Sequence, residues 1–443
     1  MKTPVWDFIT AYNEKNGARF HMPGHKGKGP LGFEKLDITE VAGADALYEA
    51  EGIIGESEKN AAELFGSGRT VYSAEGSSQC IRAMLSLLLT WRREGTAPEI
   101  LAARNVHKAF VYGAGLLDCG TEWLWPEETD SLCSCPITPE LLEKRLVSMP
   151  RPPAAVYVTS PDYLGNLADI KGLAEVCHRH GTYLAVDNAH GAYLHFLKPS
   201  LHPLDLGADL CCDSAHKTLP VLTGGAYLHL SREVPKEMRG QAKNAMALFG
   251  STSPSYLILA SLDLCNRYLS EGYRERLAQT VKRLESLKCR LRERGWEIPE
   301  TDPLRLTVRA PKDMKGTELA ELLRKNQMEC EYADPEFLVL MMTEQNRPED
   351  LALLEKVLSR CEAVPAEKKN LPPARGTRAL SIRQALLAPR EKIPAKEALG
   401  RICGAPAVSC PPAIPIAVSG ERIGNEALAL FSHYGIETVD VVK

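Results

Sequence analysis

The sequence predicts an α/β chain: a large domain on a mostly parallel sheet with helices on both faces, followed by smaller α+β C-terminal parts. Three observations predict it. Short apolar runs alternate with amphipathic helical stretches from about residue 70 to residue 212, the rhythm of strand–helix–strand units. At 443 residues the chain is too long for one ordinary domain, and 44% of it is apolar, enough for a sizeable core. No internal repeat or low-complexity block points to a solenoid or a tail.

The elements follow in order. Residues 1–55 read as an irregular N-terminal segment, with Pro, Gly and His gathered in Phe20-His21-Met22-Pro23-Gly24-His25-Lys26-Gly27. Residues 56–294 carry the large domain. A helix spans Glu56 to Phe65 and Gly66 stops it. Thr70 to Ser73 is a strand, and an apolar helix runs from Gln79 to Trp91. Ile100 to Ala103 is the next strand and Ala109 to Leu117 the next helix. Ala154 to Thr159 is β-rich and ends at Ser160-Pro161. Asp169 to His180 is an amphipathic helix closed by Gly181, and strands follow at Thr182 to Val186 and Ala208 to Cys212. Ser255 to Arg294 has continuous helical periodicity and is expected to link two domains. Residues 295–362 read as a small α+β domain, with strands at Leu304 to Val308 and Phe337 to Leu340 around a helix near Thr317 to Lys325. Residues 363–443 form a C-terminal domain entered through a Pro- and Lys-rich linker, 363–376.

Composition excludes several classes. A net charge of −4 and a pI near 6.3 give no support to nucleic-acid or membrane binding. No apolar run reaches membrane-spanning length. The start, Met1-Lys2-Thr3-Pro4-Val5-Trp6-Asp7, is not a secretion signal, so the 13 cysteines are expected as reduced thiols in the cytoplasm. No cysteine pair has zinc-site spacing. His21 and His25 are four apart, but Pro23-Gly24 breaks the helix that would align them, so no metal site is expected.

The chemistry gathers just past predicted strands. Lys217, in Asp213-Ser214-Ala215-His216-Lys217-Thr218, follows one such run, and Asp187, in Val186-Asp187-Asn188-Ala189-His190-Gly191, follows another. A pyridoxal phosphate site needs such a pair: the lysine condenses with the cofactor aldehyde, and the carboxylate keeps a proton on the ring nitrogen. Gly76-Ser77-Ser78 before a helix is a phosphate cradle, because the glycine lets the backbone approach and the first turn offers free N–H groups. The competing readings are ordinary ones: a surface lysine, a helix cap at Asp187, and serine caps. His107 either stacks on a ring, contacts a substrate carboxylate, or is a satisfied loop histidine. His190 and His216 are equally open.

Several ordered blocks also resemble a family. Phe20 to Lys26, Gly52-Ile53-Ile54, Ala61 to Gly66, Arg104-Asn105-Val106-His107-Lys108, the Asp187 and Lys217 segments, and Ser251-Thr252-Ser253-Pro254-Ser255-Tyr256 are similar to the ornithine/lysine/arginine decarboxylases of pyridoxal phosphate fold type I, in their short form. The likeness resumes at Glu397 to Ile402 and at Pro411-Pro412-Ala413-Ile414-Pro415. The resemblance implies an aspartate aminotransferase-like fold and decarboxylation of lysine, ornithine or arginine to the amine, as in polyamine biosynthesis. It implies that Lys217 holds the cofactor, Asp187 its ring nitrogen and His107 the ring face, with His190 beside it. Ser77, Ser78, Ser214 and His216 would hold the phosphate near Gly76. Thr252 would reach in from a second subunit of a homodimer or larger assembly. Glu421 is the acid expected to meet a cationic substrate side chain. Cα would regain its proton from Lys217 or a histidine. Glu75, Asn188 (where the family usually has Glu), Gly224 (where Gln is common) and Ser419 (where Pro precedes Gly-Glu) depart from the pattern. Other chemistry of the same fold type, an aminotransferase or a carbon–carbon lyase, is the alternative, and a non-catalytic regulatory homologue is the third reading.

Overall fold

The computed structural model describes residues 1–368, 370–408 and 412–443. Its centre is a seven-stranded sheet of β1 (Arg69–Ser73), β2 (Ala97–Ala103), β3 (Gly120–Leu124), β4 (Pro153–Thr159), β5 (Tyr183–Asp187), β6 (Leu210–Asp213) and β7 (Ala226–Leu230), in the order β1-β7-β6-β5-β4-β2-β3. Every neighbouring pair is parallel except those made by β7, which runs antiparallel to both β1 and β6. The mostly parallel sheet expected from the sequence is therefore present.

Alternate residues of the strands feed two layers, as the pleat requires. Ile100, Ala102, Tyr157, Ala185 and Cys212 join the layer that holds helices Ser77–Thr90 and Lys108–Leu117. Leu101, Val156, Val158, Leu184 and Val186 join the opposite layer, with Leu142 of Pro139–Val147 and Leu173 of Ile170–Arg179. Because both faces are covered, β4 and β5 read as continuous apolar runs rather than alternating ones. A smaller antiparallel sheet, β8 (Arg305–Arg309), β10 (Phe337–Met341) and β9 (Tyr332–Ala333), follows with helices Gly316–Lys325 and Pro348–Leu358. Near the C-terminus Arg390–Pro394 pairs antiparallel with Thr438–Val442.

Two expectations are corrected. The segment read as irregular contains a helix, Pro4–Glu14. Its first turn is seated by a distant side chain: the Asp263 carboxylate accepts the Val5 and Trp6 N–H groups at 2.9 and 3.0 Å. Local pattern could not reveal a cap that lies far along the chain. The long stretch from Ser255 is two helices, Tyr256–Ser270 and Tyr273–Glu293, because Gly272 takes φ 68° and turns the chain. β3 and β7 were not anticipated. Part of the tail motif, Pro411, lies outside the described residues. No helix among them is long and apolar enough to cross a membrane.

Candidate active site

The carboxyl ends of β4, β5 and β6, and the loop after β2, open on one cleft, the position where such sheets bind ligands. It encloses about 480 Å³ of empty space, its solvent-filled mouth included, and Ser77, His107, Thr159, Tyr163, Asp187, His190 and Lys217 are among its walls. Sequence-distant residues are thus brought together. Lys217 sits in the short helix Ala215–Thr218, and its Nζ lies 2.7 Å from His190 Nε2. Burial lowers the Lys217 pKa from its ordinary value, and the nearby Asp187 and Glu331 charges only partly offset that. Asp187 ends β5. Its carboxylate accepts from the Ala189 N–H at 3.2 Å and the Tyr157 hydroxyl at 3.3 Å, and burial raises its pKa against the opposing pull of Lys217. The helix-capping and ion-pair readings of Asp187 therefore hold together in one side chain.

His107 caps helix Lys108–Leu117: its Nδ1 accepts the Ala109 N–H at 3.1 Å. Burial, reinforced by the Lys217 and Lys108 charges, pushes its pKa down to about 4, so at neutral pH the ring is an uncharged flat face on the cleft wall. Gly76 takes φ 73° directly before helix Ser77–Thr90, and Ser214 Oγ lies 3.3 Å from Ser77 Oγ. The hydroxyls of Ser77, Ser78 and Ser214 and the free N–H groups of that first helical turn suit a phosphate. His216 donates Nδ1–H to the Gly225 carbonyl at 3.1 Å, and this points its other nitrogen elsewhere. The donor set, the buried carboxylate and the lysine fit pyridoxal phosphate.

The departures from the family pattern acquire local reasons. The Glu75 carboxylate is turned to a neighbouring loop, where it accepts the Ser251 N–H at 2.5 Å. Gly224 has φ 101°, its carbonyl accepts from the Gly76 N–H at 2.7 Å, and a Cβ there would stand 2.9 Å from the Ala74 carbonyl oxygen. A glutamine would be strained in that backbone. Asn188 donates Nδ2–H to Asp213 at 2.7 Å, which a carboxylate could not do without a proton.

Asp213 is wholly buried, and its other oxygen lies 3.1 Å from His202 Nε2 and 3.3 Å from His229 Nε2. Burial alone would raise its pKa, but the two histidines hold it far below the usual carboxylate range. A depressed acid stabilises the fold above its unfolded pKa, about 3.9, and that contribution fades as pH falls toward the folded value. We expect Asp213→Ala to cost about 3–5 kcal/mol in urea unfolding at pH 7, because it strands both histidines and Asn188. The cost should shrink in strong acid.

Two expected residues are placed apart from the cleft. Glu421 is buried against Arg104, whose Nη2 lies 3.3 Å away, and accepts the Val418 N–H at 2.8 Å. It is not among the cleft's lining residues. Thr252 lies exposed on the loop before helix Tyr256–Ser270, next to the Ser251 that Glu75 holds. Three residues near Lys217 were missed by sequence reading: Tyr163, Arg305 and Glu331. Tyr163 donates its hydroxyl to Glu331 at 2.8 Å, and its ring centroid is 5.9 Å from Lys217 Nζ. Pro412 and Ile414 of the tail motif also reach the cleft wall, and the Ala413 carbonyl accepts the Lys108 N–H at 2.9 Å.

Residues 3–353 match the Orn/Lys/Arg decarboxylase major domain. The chain belongs to that family. It is an amino-acid carboxy-lyase by membership. It is similar to a protein named arginine decarboxylase from Halalkalibacterium halodurans, at 29% identity over 97% of this chain and 92% of the relative. It is also similar to the uncharacterized YaaO protein of Bacillus subtilis, at 28% identity over 98% and 94%. The lysine decarboxylase of Francisella novicida shares its fold, with a TM-score of 0.81 at 16% identity, covering 100% of this chain and 81% of that one. A serine palmitoyltransferase-type structure described as "SPT with PLP" aligns with 72% of this chain at a TM-score of 0.54 and 17% identity, so the fold is that of pyridoxal phosphate fold type I.

Proposed function

We propose that this decarboxylase family member removes the α-carboxylate of a basic amino acid, with pyridoxal phosphate held at Lys217. The observation that carries the reading is the convergence of Lys217 and the buried Asp187 on one cleft, from separate strand ends. The cofactor supplies an electron sink for the pair released as carbon dioxide leaves. The chain supplies the rest. Asp187 offers a counter-charge for a protonated ring nitrogen. His107 offers a neutral flat wall. Ser77, Ser78, Ser214 and His216 form the anion end. His190, buried and pressed well below its ordinary pKa, is uncharged beside Lys217. Either Lys217 or a histidine is placed to return a proton to Cα.

Glu331 takes over the role expected of Glu421. Glu421 is committed to Arg104, whereas the Glu331 charge is felt at Lys217 and His216. Arginine is the first substrate to try, because several relatives bear that name and a guanidinium meets a carboxylate bidentately. Glu331→Gln should raise KM for the basic substrate about 10- to 100-fold, the worth of one charge-assisted hydrogen bond, while kcat changes less. Steady-state carbon dioxide release measures this.

A homodimer or larger assembly in the cytoplasm completes the reading. Its support is the exposed Thr252 loop and the apolar side chains the N-terminal segment leaves outside, Phe20 at 96% and Met22 at 67% exposure. The deciding experiment follows carbon dioxide and amine from arginine, lysine and ornithine. Amine with carbon dioxide supports the proposal. A keto acid product would favour aminotransfer, and no turnover of any basic amino acid would overturn decarboxylation.

A further inference from the structure

The small sheet sends one side chain into the catalytic cluster. Arg305, on β8, is 1% exposed, and its Nη2 lies 2.8 Å from His190 Nδ1. The other nitrogens are anchored: Nη1 donates to the Tyr163 carbonyl at 3.1 Å, and Nε stands 3.4 Å from Asp302. Asp302 is itself held by the Tyr193 hydroxyl and the Leu304 N–H. Gly165 leaves the room, since a Cβ there would lie 2.8 Å from the Arg305 side chain. The guanidinium is therefore fixed in direction.

A guanidinium has donors and no lone pair. Its contact at His190 Nδ1 requires that this nitrogen accept, so it carries no proton. A neutral imidazole then bears its single proton on Nε2, and that N–H points at Lys217 Nζ 2.7 Å away. Nζ must accept it. An ammonium cannot, because it has no lone pair either. The chain of contacts is consistent only with an uncharged amine at Lys217.

We propose that Arg305 is a positioning residue that selects the Nε2–H tautomer of His190 and so holds Lys217 as a free amine, the form that can attack an aldehyde. The proposal deepens the reading of Lys217 as the cofactor-bearing residue. It reaches across from the small sheet to the large one, and it explains why an arginine with no route to solvent lies beside a lysine. The groups facing Lys217 are Asp187 on β5, Cys212 on β6, Glu331 before β9 and Arg305 on β8, with His107, His190 and His216 alongside. Asp187 and Glu331 favour the ammonium. His190, with its lone pair turned to Arg305, gives that ammonium no acceptor.

The test uses the full-length protein without cofactor, so its outcome is separate from whether the enzyme decarboxylates. Nitrogen-15 spectra of histidine-labelled protein, with His190 assigned by His190→Gln, should show His190 protonated on Nε2 and bare on Nδ1 at neutral pH. In Arg305→Met the proton should move to Nδ1. The pH profile of Lys217 acetylation, read by peptide mass spectrometry, should then shift upward by about one unit, a tenfold loss of reactivity below the midpoint. Arg305→Lys, which keeps a donor-only cation, should retain the tautomer. A His190 found protonated on Nδ1 in the unaltered protein, or a folded Arg305→Met with an unchanged tautomer and profile, overturns the proposal. If Arg305→Met does not fold, the spectrum of the unaltered protein decides alone.

Discussion

Lys217→Ala should remove both the visible-violet absorption band of the cofactor-loaded protein and its turnover, with activity falling on the order of 10⁴-fold or more. The side chain has two duties, holding the cofactor aldehyde and standing where a proton is returned, so no neighbour can replace it. His190 is uncharged and buried, and His107 has its Nδ1 committed to the Ala109 N–H. The fold should survive the change. Burial disfavours the Lys217 charge, so removing the amine relieves a cost instead of stranding a partner. Absorbance, carbon dioxide release and thermal melting, measured side by side, check the three statements. A variant that keeps the band would show that the cofactor is held elsewhere.

Asp187→Asn should reduce kcat on the order of 10³-fold while leaving cofactor-free stability equal or higher. The amide is nearly isosteric, and its oxygen can still accept from Ala189 N–H and the Tyr157 hydroxyl. It lacks the charge that a protonated ring nitrogen requires. The stability sign follows from the raised pKa of Asp187 in the fold. A carboxyl whose folded pKa exceeds its unfolded value costs stability once pH rises above the unfolded pKa, and an amide carries no such cost. Activity and melting temperature should therefore move apart. A parallel loss of both would mean that Asp187 is structural.

Much of the site was legible because its chemistry lies at strand ends. Apolar runs announce β5 and β6, and the residues just past them are Asp187 and Lys217. Gly76 announces a turn before a helix, with Ser77 and Ser78 in its first turn. His107 follows β2 for the same reason. The remainder was not legible. Glu421 stood in a motif that promised function, yet Arg104 claims its carboxylate. Glu331 and Arg305 stood in no motif, and only the packing of the small sheet against the cleft brings them near Lys217. The helix Pro4–Glu14 was hidden because Asp263, far along the chain, seats its first turn.

By itself the sequence determined the α/β class, the strand ends that present Asp187, His107 and Lys217, and the phosphate-type turn at Gly76, because periodicity and turn chemistry are local. Only the tertiary structure decided which acid faces the cleft, which proton His190 carries and how Asn188 and Asp213 share theirs. Those outcomes depend on contacts between residues remote in sequence, where burial removes water and leaves each donor to find its one available acceptor.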